Sequence, residues 1–102
     1  MQNQSYELFM GRLGKNPDLR YTKKKEPVCY LSVAVNKDNS EKPDWKRVLV
    51  WGKQAEICNL KLTKGKEIFV QGRTNIREYQ DDEGNKRSIT EVNARLVGFS
   101  NL

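Results

Sequence analysis

Apolar and polar residues alternate along most of this chain with a period of two, which is the spacing of a half-buried β-strand. The segment from Val28 to Asn36 shows the pattern most clearly. Its apolar positions are Cys29, Leu31, Val33 and Val35, and its other face carries Tyr30, Ser32, Ala34 and Asn36. Because similar alternation recurs between turn-forming stretches, the chain is predicted to consist mainly of strands.

Four further segments have the alternation of strands, and polar or turn-forming residues end each of them. They are Tyr6 to Gly14, Trp45 to Trp51, Glu67 to Tyr79 and Lys86 to Phe99. Leu19 to Tyr21 is a candidate for a short extension after the first strand. The polar residues from Lys37 to Asp44 predict an exposed loop, and those from Gln80 to Asn85 predict a flexible hairpin tip.

One stretch departs from the period of two. Its apolar residues are Ala55, Ile57, Leu60 and Leu62. This spacing fits a short amphipathic helix over residues 53–62, and Lys64-Gly65-Lys66 is a suitable helix stop. Five strands with one short helix between the third and the fourth indicate an all-β protein, a five-stranded Greek-key barrel known as the OB-fold. No linker-like stretch divides the chain, so residues 1–102 are predicted to form one such domain.

Charge gives a first indication of function. The chain has 19 Lys and Arg against 13 Asp and Glu, which gives a net charge of +6. A basic balance favours polyanionic partners, because cations that neutralise phosphates release bound counterions. Since many basic proteins bind no nucleic acid, the useful question is whether the cations share a face with exposed aromatic residues.

The sequence shows no membrane segment and no export signal. The longest uncharged apolar run, Val48 to Gly52, is too short to cross a bilayer. The first five residues also lack a basic segment followed by an apolar stretch. We therefore expect a cytoplasmic location and no membrane partner.

The two cysteines, Cys29 and Cys58, have no neighbouring cysteine, and no histidine occurs in the chain. A metal site is therefore not expected, and both thiols are predicted to be buried and reduced. The lack of histidine also removes the Ser-His and Cys-His arrangements of nucleophilic catalysis. These features predict a binding protein without a cofactor, and not an enzyme.

The distribution of residues between strand faces is more informative. In the strand from Trp45 to Trp51, one face carries both indoles together with Arg47. Such a face suits a sealed core poorly, because a buried arginine needs a partner, but it suits a surface on which bases stack beside phosphates. The strand from Glu67 to Tyr79 repeats this combination of aromatic residues and arginines on one face. That face carries Phe69, Gln71, Arg73, Asn75, Arg77 and Tyr79.

Each of these observations also has a purely structural interpretation. Trp45 and Trp51, taken singly, fit core or interface positions about as well as a binding surface. The repetition on two strands favours nucleic-acid binding. Lys23, Lys24 and Lys25 are secondary candidates, since a lysine run in a loop is commonly a solvated tip.

Several motifs resemble those of the bacterial single-stranded DNA-binding protein family. The similarity extends over most of the chain, from about Tyr6 to Phe99. The matching segments are DWKRVLVWGKQAE at 44–56, LTKG at 62–65, GRLGKNPDLRY at 11–21, VQG at 70–72 and TEV at 90–92. Several ordered matches at suitable separations make the resemblance specific.

The resemblance implies an OB-fold that binds single-stranded DNA with little sequence preference during DNA replication, recombination and repair. It implies stacking on the aromatic residues and phosphate neutralisation by the arginines. The stacking positions are Trp45, Trp51 and Tyr79, the phosphate positions are Arg47, Arg73 and Arg77, and further contacts are expected at Arg12, Lys15, Arg20 and Tyr21.

Assembly and partners follow from the same reasoning. The resemblance implies a homotetramer, with a dimer as the other possibility. The low apolar fraction and the outward Tyr30 predict that subunits pair through the barrel face or through the edge of the first strand.

Two departures from the family pattern keep other interpretations open. The 37–44 loop lacks an aromatic residue often found near its start, which predicts a smaller footprint on DNA. The sequence stops at Leu102, where family members continue into an acidic tail that recruits replication or repair proteins, so it is either truncated or tail-less. The alternative function is a primosome-like accessory interaction subunit with auxiliary nucleic-acid binding. RNA also stays open as the ligand.

Overall fold

The computed structural model describes residues 5–36 and 41–100. Within these ranges the chain forms six strands and one helix. They are β1 (Ser5–Leu13), β2 (Asp18–Tyr21), β3 (Pro27–Val35), β4 (Asp44–Trp51), α1 (Lys53–Lys61), β5 (Glu67–Gln80) and β6 (Lys86–Phe99). The five predicted strands and the helix are confirmed, and the candidate extension after the first strand is the separate strand β2. Residues 37–40 of the predicted 37–44 loop lie outside the described residues.

The strands form one sheet that nearly closes on itself. Their order is β1-β5-β6-β4-β3-β2, and all neighbours are antiparallel except β4 and β6, which run parallel. A short pairing of Arg12 and Leu13 in β1 with Ala34 and Val33 in β3 closes the barrel. This topology is consistent with the predicted OB-fold.

Gly11 explains how β1 can reach β3. A Cβ atom at this position would lie 2.4 Å from the carbonyl oxygen of Ala34. The backbones of the two strands therefore approach more closely than any side chain on residue 11 would allow.

Branched aliphatic side chains from the inward faces of the strands fill the barrel. The largest of them are Leu31, Val33, Val48, Val50, Ile68, Val70 and Val92, all of which are almost fully buried. Burial of each such side chain contributes roughly 1.5–3 kcal/mol. The alternation seen in the sequence thus corresponds to the core side of each strand.

The helix α1 covers one end of the barrel through a narrow face. Ala55 and Cys58 are buried in this contact, as is Leu62 directly after the helix. The predicted apolar face was partly wrong, because Ile57 and Leu60 point to solvent. At about 100° per residue, positions 57 and 60 lie on the side of the helix opposite to positions 55, 58 and 62.

Both cysteines are free and buried, as predicted. Burial raises the pKa of the Cys29 thiol to about 11. Burial, with a smaller contribution from Cys29, likewise raises the pKa of Cys58 to about 11. These thiols therefore behave as small core residues and not as nucleophiles.

The predicted hairpin tip joins β5 to β6 and is ordered around Asp81. The Asp81 carboxylate accepts hydrogen bonds from the backbone N–H groups of Glu83 and Asn85, at 3.0 and 2.9 Å. Arg87 Nε donates a third, at 3.0 Å.

No helix in the described ranges is long and apolar enough to cross a bilayer.

Candidate nucleic-acid interface

A cleft of about 770 Å³ opens over β2, β3 and β4 and reaches the first part of β6. Four of the predicted site residues line it: Lys15, Arg20, Trp45 and Arg47. Its other lining residues are Asp18, Tyr30, Leu31, Ser32, Asp44, Lys46, Ile89, Thr90 and Val92. Cations and an exposed indole therefore share one concave surface.

Strand pairing explains why these side chains meet. In β4, Trp45 and Arg47 alternate with the half-buried Lys46 and the buried Val48. The register places them opposite Ala34 and Ser32 of β3, whose side chains are short. The β3 side chains opposite Trp45 and Arg47 are thus short, while Tyr30 of the same strand also lines the cleft.

Trp45 forms one wall of the cleft and is 58% exposed. Gly14 permits this position, because a Cβ atom on residue 14 would lie 2.5 Å from two carbon atoms of the indole ring. The indole therefore lies directly over backbone, and one side of it remains open to a stacking partner.

Tyr30 stands in the middle of the cleft between two arginines. The guanidinium carbon of Arg20 lies 5.3 Å from the centre of the Tyr30 ring, and that of Arg47 lies 5.0 Å from it. Arg20 comes from β2 and Arg47 from β4, the two strands that flank Tyr30 in the sheet. Cation–π contacts of this kind contribute about 0.5–1 kcal/mol at exposed sites and hold the guanidinium groups in place.

The row continues from Arg47 to the carboxylate of Glu91 in β6. Arg47 Nε and an Arg77 terminal nitrogen both lie 3.4 Å from the same oxygen, Glu91 Oε2. Glu91 is only 7% exposed, whereas the Arg47 side chain is half-buried and that of Arg77 is exposed. Arg77, which does not line the cleft itself, is thereby connected to it.

Trp51 lies farther along the same face of β4. Its indole is 38% exposed, and its Nε1 donates a hydrogen bond to Asn93 Oδ1 at 3.1 Å. Tyr79 lies near the end of the β5–β6 hairpin, opposite Arg87, and is also exposed. The three predicted stacking residues are thus all accessible, and Trp45 is the one among them that lines the cleft.

Three further predicted contacts, besides Arg77, Trp51 and Tyr79, lie outside the cleft, each against a partner of its own. Arg12 donates to the carbonyl oxygen of Gly65 at 3.2 Å, and the Tyr21 hydroxyl donates to Glu56 at 3.2 Å. Arg73 donates to the Tyr6 hydroxyl at 3.0 Å and lies 5.0 Å from the centre of the Tyr6 ring. Arg73 and its hydrogen bond lower the pKa of Tyr6.

Sequence reasoning missed Glu91 and Asn93 as parts of this surface and assigned Tyr30 to subunit contacts. Alternation alone already places Tyr30 on the outward face of β3, so the signal for its position was present. Its arginine neighbours come from the pairing of three strands, which alternation within one strand does not reveal.

The fold and the cleft define a class of protein: an OB-fold barrel that carries cations and aromatic rings together on one open face. A sequence model of the single-strand binding protein family matches residues 6–100. The chain belongs to this family.

Three similar proteins are named for single-stranded DNA binding. The chain is 40% identical over 95 residues to single-stranded DNA-binding protein 1 of Xylella fastidiosa, a match that covers 85% of this chain and 70% of the relative. It is 38% identical over 97 residues to the single-stranded DNA-binding protein of Caldanaerobacter subterraneus, covering 90% and 65%. With single-stranded DNA-binding protein 1 of Chlorobaculum tepidum it shares 33% over 93 residues, covering 83% and 57%. The match therefore spans less than two thirds of the latter two relatives.

Proposed function

We propose that this chain binds single-stranded DNA across the cleft with little sequence preference and catalyses no reaction. The observation that carries the proposal is the exposed Trp45 indole beside Arg47 in one concave surface. Family membership supports it, since the relatives are named for single-stranded DNA binding. Such binding would protect exposed strands during DNA replication, recombination and repair.

Two kinds of contact share the binding. Bases stack on Trp45, Trp51 and Tyr79, each base contributing about 1–3 kcal/mol. Lys15 and the arginines of the cleft neutralise phosphates and release counterions. Neither contact reads the hydrogen-bonding edge of a base, which accounts for the low sequence preference.

The same contacts discriminate against duplex DNA. A paired base has both faces covered by its neighbours in the stack, so the indoles have nothing to stack on. Phosphate contacts alone would then support only weak binding.

A competition titration tests the proposal. Labelled oligo-dT is bound in the presence of poly-U or duplex DNA, and tryptophan emission is followed over a salt series. We expect quenching by oligo-dT, weak competition by duplex, and a log–log salt slope of about −0.7 per neutralised phosphate. A preference for duplex would contradict the stacking mechanism, and a preference for poly-U would make RNA the ligand.

We also propose that the chain assembles as a homotetramer through β1 and the sheet face next to it. Within the described residues, β1 pairs with β3 only at Arg12 and Leu13 and approaches it at Gly11, so the edge of residues 5–10 on that side has no strand neighbour. An open edge is a ready site for pairing with a second copy.

The sheet face beside this edge is unusually apolar. Leu8, Met10, Phe69 and Leu96 are exposed on β1, β5 and β6. Cross-strand pairing makes them continuous, since Met10 lies opposite Phe69, and Gln71 lies between Leu8 and Leu96. An edge and a face provide the two different contacts that a tetramer with dihedral symmetry needs.

Light scattering tests the assembly. The expected mass is about four times the 11.9 kDa of one chain. Leu8→Glu should lower it, because a carboxylate would be buried in the contact. Leu60→Glu is the matched control, since Leu60 is at least as exposed but lies on α1. A monomer for the unmodified chain, or equal effects of both variants, would refute the proposed surface.

We place the chain in the cytoplasm. The support is the pair of free buried thiols at Cys29 and Cys58, which fits a reducing compartment.

A further inference from the structure

Glu91 is a carboxylate beside a cleft that carries cations, and it differs from the acids that line the cleft, Asp18 and Asp44, in being buried. Among the described residues it is the one buried charged side chain. It lies in the β4–β6 ladder directly beside Arg47, and Arg77 reaches the same carboxylate oxygen from β5, the neighbouring strand on the other side of β6. Arg47, which the proposed function assigns to phosphate contacts, and Arg77, a phosphate position implied by the family resemblance, therefore share one internal negative charge.

We propose that Glu91 is a positioning residue that holds Arg47 and Arg77 and limits them jointly to one DNA phosphate. The proposal rests on the proposed function, because it concerns how the same cleft meets the nucleic-acid backbone.

The contacts of Arg47 support the role of Glu91 in holding the arginines. Arg47 uses its Nε toward Glu91, at 3.4 Å, and its guanidinium group lies over the Tyr30 ring. With Nε and one ring face engaged, the terminal nitrogens of Arg47 remain available on the cleft side. The Glu91 side chain is 9% exposed, against 41% for Arg47 and 57% for Arg77. An approaching phosphate therefore meets the guanidinium groups first, with the carboxylate beneath them.

The net charge of the cluster supports the limit of one phosphate for the two arginines. Glu91 and its two arginines carry a net charge of one, so the cluster attracts about one counterion fewer than two independent arginines would. Fewer bound counterions mean fewer released on binding, and hence weaker salt dependence. The Glu91 side chain is enclosed by its surroundings and does not turn into water as an exposed acid can. It therefore stays with its arginines, because a buried carboxylate without them is strongly unfavourable.

The Arg20–Asp18 ion pair shows the contrast. Its nitrogen and oxygen atoms are 2.8 Å apart, but both side chains are well exposed. Such a pair is screened by water and opens at little cost, so Arg20 remains available to phosphate. Burial, and not the distance, makes Glu91 the limiting group.

The first test compares Glu91→Gln with Glu26→Gln. Both variants remove one negative charge, but Glu26 is exposed in the turn between β2 and β3. For Glu91→Gln we expect tighter oligo-dT binding at low salt and a log–log slope steeper by about 0.7. Its advantage over the unmodified chain should shrink about 2.6-fold between 50 and 200 mM salt. Glu26→Gln should leave the slope unchanged.

A second variant keeps the test valid if Glu91→Gln folds poorly. The Arg77→Gln and Glu91→Gln/Arg77→Gln proteins differ only at residue 91, and the double variant restores the net charge of the cluster. We expect the double variant to have a slope about 0.7 steeper than Arg77→Gln alone. Equal slopes for the two proteins, with normal thermal melts, would overturn the proposal.

Different variants test the cleft as the binding site and the role of Glu91. If Arg47→Gln and Trp45→Ala leave oligo-dT affinity unchanged, the cleft is not the binding site and the proposed function fails there. If both weaken binding while Glu91→Gln keeps the original slope, only the role of Glu91 is wrong.

Discussion

The indole nitrogen of Trp51 donates a hydrogen bond to Asn93 Oδ1 across 3.1 Å, joining the outer faces of β4 and β6. The contact satisfies the polar atom at the edge of the ring. The indole nevertheless remains 38% exposed, whereas Val50, its neighbour in β4, is fully buried. Trp51 is therefore fixed in orientation without being sealed in the core, which is the condition for a stacking platform.

Replacement of Trp51 by alanine should weaken binding without unfolding the barrel. We expect Trp51→Ala to cost about 1–3 kcal/mol of oligo-dT binding, because one base loses its stacking partner. Denaturant melts measured beside the titrations should show nearly unchanged stability.

Val50→Ala is the matched control on the same strand. It should lower stability by about 2 kcal/mol through lost burial and the cavity left behind, with little change in affinity per folded molecule. If Trp51→Ala instead lowers stability by a core-like amount and binds normally when folded, the ring is a structural residue.

Gly14→Ala should weaken DNA binding by displacing the Trp45 indole. The new methyl group would lie 2.5 Å from the ring, so the indole must move. We expect altered tryptophan emission and weaker oligo-dT binding. In a double-mutant cycle, Gly14→Ala should have little further effect on affinity once Trp45→Ala is present, since the two changes act on one contact. Additive effects of the two substitutions would show that residue 14 influences binding by another route.

Much of the barrel was predictable because the signal for a half-buried strand is local. The alternation of Cys29, Leu31 and Val33 needs only one strand facing one core. The strand β2 gave a weaker signal, because it has four residues and no buried position. The helix face was misassigned since α1 buries the small residues Ala55 and Cys58 and leaves the larger Leu60 in solvent.

The site was predictable only as far as alternation reaches. Parity within β4 placed Trp45 and Arg47 together, but parity within β5 grouped Arg73 with Arg77. Their neighbours differ, because β6 runs beside β5 from Ile68 to Gln80, whereas β1 pairs with β5 only from Glu67 to Thr74. Arg73 consequently contacts Tyr6. Glu91 meets the cleft residue Arg47 through a parallel pairing of strands that are distant in sequence, and no local pattern encodes that register.

Acid should destabilise the fold partly through Glu7. The hydroxyl of Thr74 donates a hydrogen bond to the Glu7 carboxylate, and Lys46 Nζ lies 3.0 Å from it. Both contacts hold the pKa of Glu7 below its ordinary value of 4.5, and the hydrogen bond from Thr74 has the larger effect. A lowered pKa means that the charged form is favoured by folding. The resulting stability is present above about pH 4.5 and is lost as the pH falls through the lower pKa of the folded protein.

Thermal melts of Glu7→Gln across the acid range test this sign. The variant should be less stable than the unmodified chain near neutral pH, and the difference should narrow below about pH 4.5. A difference that stays constant with pH would assign the effect to packing and not to the charge of Glu7.

The contribution of lysines to the phosphate contacts should depend on position and not on charge alone. Lys15 lines the cleft, whereas Lys24 is exposed in the turn between β2 and β3, away from its lining residues. Lys15→Gln and Lys24→Gln remove the same charge from exposed sites, so long-range effects on the net charge are matched. We expect Lys15→Gln to make the log–log salt slope of oligo-dT binding shallower by about 0.7, the loss of one phosphate contact, and Lys24→Gln to leave it unchanged. Fluorescence titrations at a series of salt concentrations measure both slopes, with thermal melts to confirm folding. Equal changes for the two variants would mean that the general positive field of the chain attracts DNA, and that Lys15 makes no local contact.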